Sequence, residues 1–217
     1  MNVLVLGASG QCGKWAARLA ATAGHKVTAL VRASTSYDPP SSVAVVRGDV
    51  LSERDVHAAM PGHDVVLSCL GPQRVKPSNP FSPLKSPPHF SERSAELIVR
   101  AAQAAGIRRV GAISAAGVGD SRPQLPGMMQ WLLRHSTIGP MYEDLGRMEQ
   151  VYAASGLDWF VVRPVTLVNA APSARAREVA RFRTHSVVGR ADVAAYLLAM
   201  ASNSPPASGR QPLIAWW

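Results

Sequence analysis

The residues whose types and spacing most plainly suggest chemistry stand near the amino terminus, in Gly7-Ala8-Ser9-Gly10-Gln11-Cys12-Gly13. Glycines at this spacing let the chain turn sharply, bring backbone N–H groups against a pyrophosphate and pack the next helix closely on the sheet. The run follows a strand-like segment and opens a helix-like one, whose positive end adds to the attraction for an anion. That context predicts dinucleotide binding. The second strand then ends Leu30-Val31-Arg32-Ala33-Ser34-Thr35. An acidic residue at this place holds a free ribose 2′-hydroxyl and repels a 2′-phosphate, and none is present. Arg32, with the hydroxyls of Ser34 and Thr35, can bind a 2′-phosphate by charge-assisted hydrogen bonds, so NADP(H) is the expected cofactor.

The elements that must position these residues follow from the apolar pattern. Strands are expected over 2–6, 26–32, 43–47, 64–70, 109–114 and 159–163, with 212–216 a candidate edge strand. Helices are expected over 11–23, stopped by Gly24, and over 52–60, where Ser52 and Asp55 resemble a capping box. Further helices are expected over 91–105, with Ser91 as N-cap and Gly106 as stop, over 141–154, stopped by Gly156, and over 190–201. Strands that read as nearly continuous apolar runs, alternating with helices, require a parallel sheet buried on both faces: a doubly wound α/β fold. Three segments do not fit the repeat: 72–90, rich in Pro and Ser; 117–140; and the basic 169–188. Each follows the carboxyl end of a strand, where open α/β sheets bind ligands, so these loops are expected to build the substrate site.

Composition narrows the function classes. A length of 217 residues suits one domain, 1–217, with one sizeable core. No apolar stretch approaches the roughly 18 residues of a spanning helix, and the amino terminus lacks a basic leader, so the expectation is a cytoplasmic protein, monomer or homodimer. The formal charge of +9 reads first as solvated surface positions, since Arg outnumbers Lys and comes with abundant Ala and Pro. Otherwise it is the mark of an anionic partner such as nucleic acid, a phosphate-bearing cofactor or an acidic substrate. Its basic residues are scattered and are not interleaved with aromatics, which argues against nucleic acid. Cys12 and Cys69 make no disulfide framework, and the His spacings match no metal site. Cys12 reads as a small residue beside the phosphate, Cys69 as core.

An ordered set of segments resembles a known family: Gly7-x-x-Gly10-x-x-Gly13, Val31-Arg32, Gly48-Asp49-Val50, Ser155-Gly156-Leu157-Asp158-Trp159, Val162-Arg163-Pro164 and Arg190-Ala191-Asp192-Val193-Ala194. Together they are similar to the atypical short-chain dehydrogenase/reductases, within them to the NAD(P)H-binding, NmrA-like and biliverdin reductase B (flavin reductase) branch. The resemblance implies a Rossmann sheet with a small C-terminal substrate cap. It puts Gly7, Ser9, Gly10, Gln11 and Cys12 on the pyrophosphate, Arg32 on the 2′-phosphate, and Asp49 and Val50 beside the adenine. Leu70 and Gly71 would line the cofactor, Ser114 would face nicotinamide and substrate, and Pro164, Val165 and Thr166 would hold the carboxamide side. Asp192 is read as structural, a carboxylate in the first turn of its helix.

One departure bears on mechanism. Related reductases protonate the product with Tyr-x-x-x-Lys, and those positions fall here on Met141 and Leu145; Tyr142 lies one place off, with Gly146 where its lysine would be. Without a neighbouring cation the Tyr142 phenol is expected to titrate near the usual value of about 10. His135 and Tyr142 are the remaining candidate acids. The leading expectation is an NADPH-dependent reductase that moves hydride to a planar or conjugated acceptor of flavin, quinone or enone type, which can take its proton from water or a weak acid. A non-catalytic NADP(H) sensor with a partner surface around residues 175–183 is the alternative. A redox-neutral isomerase, cyclase or dehydratase is a third. Met128, Met129 and Trp131, with His135, either offer an adaptable apolar face to the acceptor or form a small lid helix packing on its own core. Trp216 and Trp217 are expected to cover a sheet edge or a partner surface.

Overall fold

Apolar side chains on both sides of each strand need cover on both faces of the sheet, and the computed structural model, which describes residues 1–183, 185–203 and 209–216, provides it. β1 (Asn2–Leu6) turns Val3 and Val5 to one layer and Leu4 and Leu6 to the other. α1 (Gln11–Thr22) covers the first layer, β2 (Lys26–Val31) and β3 (Val43–Arg47) extend the sheet, and α2 (Glu53–Ala59) covers the second. β4 (Val65–Ser68), α3 (Phe90–Ala104), β5 (Arg109–Ile113), α4 (Gly127–His135), α5 (Ile138–Ala153) and β6 (Asp158–Pro164) follow. The chain closes with β7 (Thr166–Val168), β8 (Ala176–Glu178), β9 (Val187–Gly189), α6 (Arg190–Ser202) and β10 (Leu213–Trp216). The main sheet runs β3-β2-β1-β4-β5-β6-β10-β8, parallel except for the last pair, and β7 with β9 forms a separate two-stranded piece. This is the doubly wound Rossmann arrangement. α1 and α6 pack together on one face, while α2, α3 and α5 lie on the other. No helix among the described residues is long and apolar enough to cross a membrane.

Several expectations need correction. The segment 212–216 is no edge: β10 lies between β6 and β8, and the edge is an antiparallel strand inside the segment read as loop 169–188. Trp217 lies outside the described residues. Ser91 does not cap α3; the N-cap is His89, held at a left-handed φ of 56°. The first helical amides donate instead to a residue from another helix, Ser91 N–H to Asp144 Oδ2 at 2.8 Å and Glu92 N–H to Asp144 Oδ1 at 3.1 Å. α5 begins three residues before the expected 141. Ser52 does cap α2, its Oγ accepting from Asp55 N–H at 3.3 Å, but the Asp55 carboxylate reaches outward to the Asp49 amide at 2.9 Å. The hydrogen-bonded strands also stop short, leaving Arg32, Leu70 and Ser114 just past the ends of β2, β4 and β5.

Two polar clusters tie the later loops to this frame. Arg163, 3% exposed on β6, donates to both oxygens of buried Glu149 on α5, to Asp120 in the 3₁₀ turn Gly119–Gln124, and to Gln211 before β10. Asp192, 1% exposed at the start of α6, accepts from Ser173 N–H and Oγ–H, Ala174 N–H and the Trp216 indole N–H. Those bonds hold Ala174 at φ 54°, a conformation L residues avoid. Gly189 makes room for the indole, since a Cβ there would lie 2.8 Å from Trp216 Cζ2. Asp192 is thus the structural carboxylate its helix-start position suggests, and Trp216 is one of its donors.

Two outcomes follow. At Gly111 on β5 a Cβ would lie 2.3 Å from the ring of Phe160, its partner on β6, so Gly111→Ala should lower unfolding stability by about 1–3 kcal/mol in urea titration. Burial pushes the Asp192 carboxyl up, but the bonds from Ser173, Trp216 and Ala174 outweigh it and hold the group below its ordinary value. Its stabilising effect is therefore complete above the unfolded value of about 3.9 and is lost as pH falls below it toward the folded value. Asp192→Asn should be less stable near neutrality and show a smaller further loss in that acid range, read by denaturant midpoints across pH.

Candidate functional site

Two clefts open side by side along the carboxyl edge of the sheet. The first, of about 300 Å³, is lined by Gly7, Ser9 and Gly10 after β1, Arg32 after β2, Asp49 and Val50 after β3, and Leu70 and Gly71 after β4. The loop is shaped by close contact rather than by side chains: Gly7 has φ 76°, and Gly10 N–H donates to Gly7 O at 2.9 Å. Gly13 is buried, and a Cβ there would lie 2.1 Å from Gly7 O, so its place is helix-to-strand packing rather than the cleft wall. α1 has no side-chain cap and no acidic residue in its first turn, which leaves its amides and its positive end available to an anion. Together with the Arg32 guanidinium this fits a dinucleotide with a phosphate at each end of the cleft.

Other expected contacts fall elsewhere. Gln11 faces a neighbouring groove with Lys14 and Arg18. Cys12 packs against the core, and burial pushes its thiol up to about 11, against a smaller opposing pull from Arg190, so it is no thiolate at neutral pH. Ser34 and Thr35 lie beyond the cleft lining. The turn that carries them is instead pinned by Arg47, whose Nη1 donates to Thr35 O at 2.8 Å and Arg32 O at 3.2 Å. Asp49 accepts from Leu51 N–H at 2.9 Å, which orders the loop beside the cleft.

The second cleft, of about 570 Å³, brings together Ser114, Tyr142, Pro164, Val165, Thr166, Met128 and Met129 from separate loops on one sheet edge. Leu132, Phe182, Arg74, Arg183 and Arg190 line it as well. Sequence reasoning did not single out these five, although Arg74, Leu132, Phe182 and Arg183 lie in the three segments read as building the substrate site. Ser114 is buried and its Oγ has no hydrogen-bond partner among the described residues. Burial raises the Tyr142 phenol above its usual value, and Arg74 pulls it partly back. A cation is therefore present after all, supplied by another loop.

α4 sorts its own residues by helical spacing. Met128, Met129 and Leu132 face the cleft, whereas Trp131 and His135, four apart, form another stripe. Trp131 stands edge-on to Phe81 at 6.2 Å and against His135 at 5.1 Å, outside the cleft lining. The structure therefore brings Ser114 and Tyr142 together and leaves His135 apart from them.

Comparison with known proteins agrees with this architecture. Residues 7–204 match the family model described as NAD(P)H-binding. A phenylcoumaran benzylic ether reductase of Nicotiana tabacum is 34% identical over 80 residues, covering 32% of this chain and 26% of that protein. An isoflavone reductase homolog of Zea mays is 30% identical over 84 residues, covering 34% and 27%. The matches thus span about a quarter of the length of those relatives. Among solved structures, the anaerobillin reductase ChuY of Escherichia coli has a TM-score of 0.78 at 22% identity, covering 99% of this chain and 96% of that one. A short-chain dehydrogenase/reductase of Veillonella parvula in complex with NADP has a TM-score of 0.76 at 19% identity, covering 98% and 93%. With a glycine loop, an open helix end and a family model that spans nearly all of its length, the chain belongs to the NAD(P)H-binding family of Rossmann-fold proteins.

Proposed function

We propose that the protein is an NADPH-dependent reductase whose acceptor is a planar or conjugated small molecule. The observation that carries this reading is the second cleft. Its lining is largely apolar and deformable, with Met128, Met129 and Leu132 from α4, Phe182 from the segment 169–188, and Pro164 and Val165 at the end of β6. It adjoins the nucleotide cleft, since Gln73 lines one and Arg74 the other. The reductase names of the matched plant relatives and of ChuY support the same reaction class.

Bound in the first cleft, NADPH supplies a hydride. The chain's own work is to orient and to exclude water. Gly7, Ser9 and Gly10, with the α1 amides, hold the pyrophosphate, Arg32 takes the 2′-phosphate, and Ser114 with Pro164–Thr166 sets the plane against which the acceptor lies. The preference for the phosphorylated cofactor rests on the Arg32 guanidinium lining a cleft whose β2 end has no carboxylate.

The test is loss of dihydronicotinamide absorbance with purified protein and a panel of flavins, quinones and enones, with NADH run in parallel. Turnover favouring NADPH is expected. Arg32→Ala should lower kcat/KM for NADPH by about 10- to 100-fold and leave NADH nearly unaffected, the size expected for one or two hydrogen bonds to a charged group. Demonstrated NADPH binding with no oxidation by any member of the panel would move the reading to a sensor or a redox-neutral enzyme.

A further inference from the structure

We infer that Tyr142, with Arg74 as its cationic neighbour, delivers the proton that accompanies the hydride, a pairing assembled from two segments of the chain in place of a tyrosine and lysine on one helix. The inference rests on the proposed reductase reading and deepens it by assigning the proton donor.

The arrangement begins with Arg74, six residues past the end of β4. Its Nη2 donates to the Pro77 carbonyl, and its Nη1 lies 3.6 Å from Sδ of Met141, the residue next to Tyr142. Its Nε is buried with no partner among the described residues. The guanidinium is thus fastened to the first turns of α5 and keeps an unused N–H there. Arg74, Tyr142 and Ser114 all line the second cleft, and the Ser114 hydroxyl is likewise buried and unpartnered. Two polar groups without partners among the described residues and one phenol, in a cleft lined mostly by apolar side chains, are what an acceptor oxygen or nitrogen needs at the moment it gains charge.

Gly146 shows why the cation comes from elsewhere. One turn beyond Tyr142, a Cβ there would meet only Val118 Cγ1, at 3.8 Å, so the helix itself presents no charge to the phenol. The other charged groups near α5 are accounted for. Arg183 and Arg190 line the same cleft from the segments around β9. Asp144 is turned to the α3 amides, Glu92 pairs with Arg147 and His89, and Glu143 is exposed. Carboxylates that would oppose a phenolate therefore face away or are neutralised.

The step balances as follows. As the acceptor gains a hydride and its two electrons, the Tyr142 Oη–H bond breaks and the proton joins the acceptor's oxygen or nitrogen. The bonding pair stays on the phenolate, which faces Arg74 until water reprotonates it. Burial keeps the phenol protonated at neutral pH and so able to donate, and Arg74 limits the cost of the phenolate that results. Tyr142 is the catalytic acid. Arg74 is a positioning and charge-setting residue that acts through it.

The experiment uses the full chain labelled with carbon-13 at tyrosine Cζ, the Tyr142 signal being assigned by its loss in Tyr142→Phe. Arg74→Gln should move the phenol midpoint to higher pH, and Arg74→Lys should return it toward the wild-type value. With an enone acceptor, Tyr142→Phe should lower kcat by about 10²- to 10⁴-fold, as for loss of a general acid. Arg74→Gln should lower the rate and shift the alkaline fall of the pH profile upward, which mere structural damage would not do. A phenol midpoint indifferent to Arg74→Gln, in a variant whose circular dichroism matches wild type, overturns the pairing. Undiminished enone reduction by Tyr142→Phe overturns the acid role. If the wild-type protein oxidises no NADPH, the reductase reading and the acid role fall, and the titration still decides whether Arg74 acts on Tyr142.

Discussion

The site depends first on one close approach, that of Gly13 to the carbonyl of Gly7. Because no Cβ intervenes, α1 starts almost on top of the end of β1, and its first amides point into the same edge of the sheet that receives the ends of β2, β3 and β4. A bulkier residue would push the helix outward and withdraw its positive end from the cleft. The β1–β4 pairing then places Cys69 and Leu70 directly against Gly7, so that a Cβ on Gly7 would lie 2.9 Å from the Cys69 carbonyl. Strand register, loop conformation and helix placement are compatible only while these glycines lack a Cβ, and the nucleotide cleft is where they meet.

The second cleft is held by a buried charge as well as by backbone contacts such as Ala116 N–H to Pro164 O at 2.9 Å. Arg163, near the end of β6, bonds Glu149 on α5, the 3₁₀ turn and the approach to β10, so one guanidinium joins the loop leading to α4 to the sheet and to α5. Desolvation works against the charged form of Arg163, but hydrogen bonds and charges from Glu149 and Asp120 outweigh it, and its affinity for the proton ends above the ordinary value. Such a cluster contributes little net stability compared with apolar packing, yet breaking it leaves a buried charge alone. Its use here is positional. Asp192 does the same for the segment 169–188, which it ties to the start of α6 and to Trp216 of β10.

Much of this was legible in the amino-acid sequence because it rests on local or periodic signals. The strand, glycine turn and helix at 2–23, the Ser52 cap and the helix-start Asp192 each declare themselves within a few residues. What escaped reading depends on pairs far apart. The α3 cap comes from Asp144 on another helix, fifty-odd residues on in roughly the way any tertiary contact overrides a local cap. β8 is three residues long, Ala176-Arg177-Glu178, with no apolar run to mark it, and only its pairing with β10 makes it a strand. Met128, Met129 and Trp131 looked like one apolar face, but helix geometry divides them between the cleft and the Phe81 contact. Arg74 carried no signal in its own segment, and its meaning comes from lying against the first turns of α5.

The basic composition also acquires a place. Arg109, Arg147, Arg163 and Arg210 are each paired with a carboxylate. Arg32, Arg74, Arg183 and Arg190 have no such partner among the described residues, and all four line the two clefts. Positive charge without a carboxylate partner is therefore present where the sheet ends, and in the second recess the largely apolar walls concentrate its field. That field favours the phosphates of a dinucleotide in one cleft and, under the proposed mechanism, negative charge on an acceptor or phenol in the other. Both recesses thus receive guanidinium groups brought by separate loops to a single edge, which suits the cofactor in one and, on the proposed reductase reading, the charge that develops during reduction in the other.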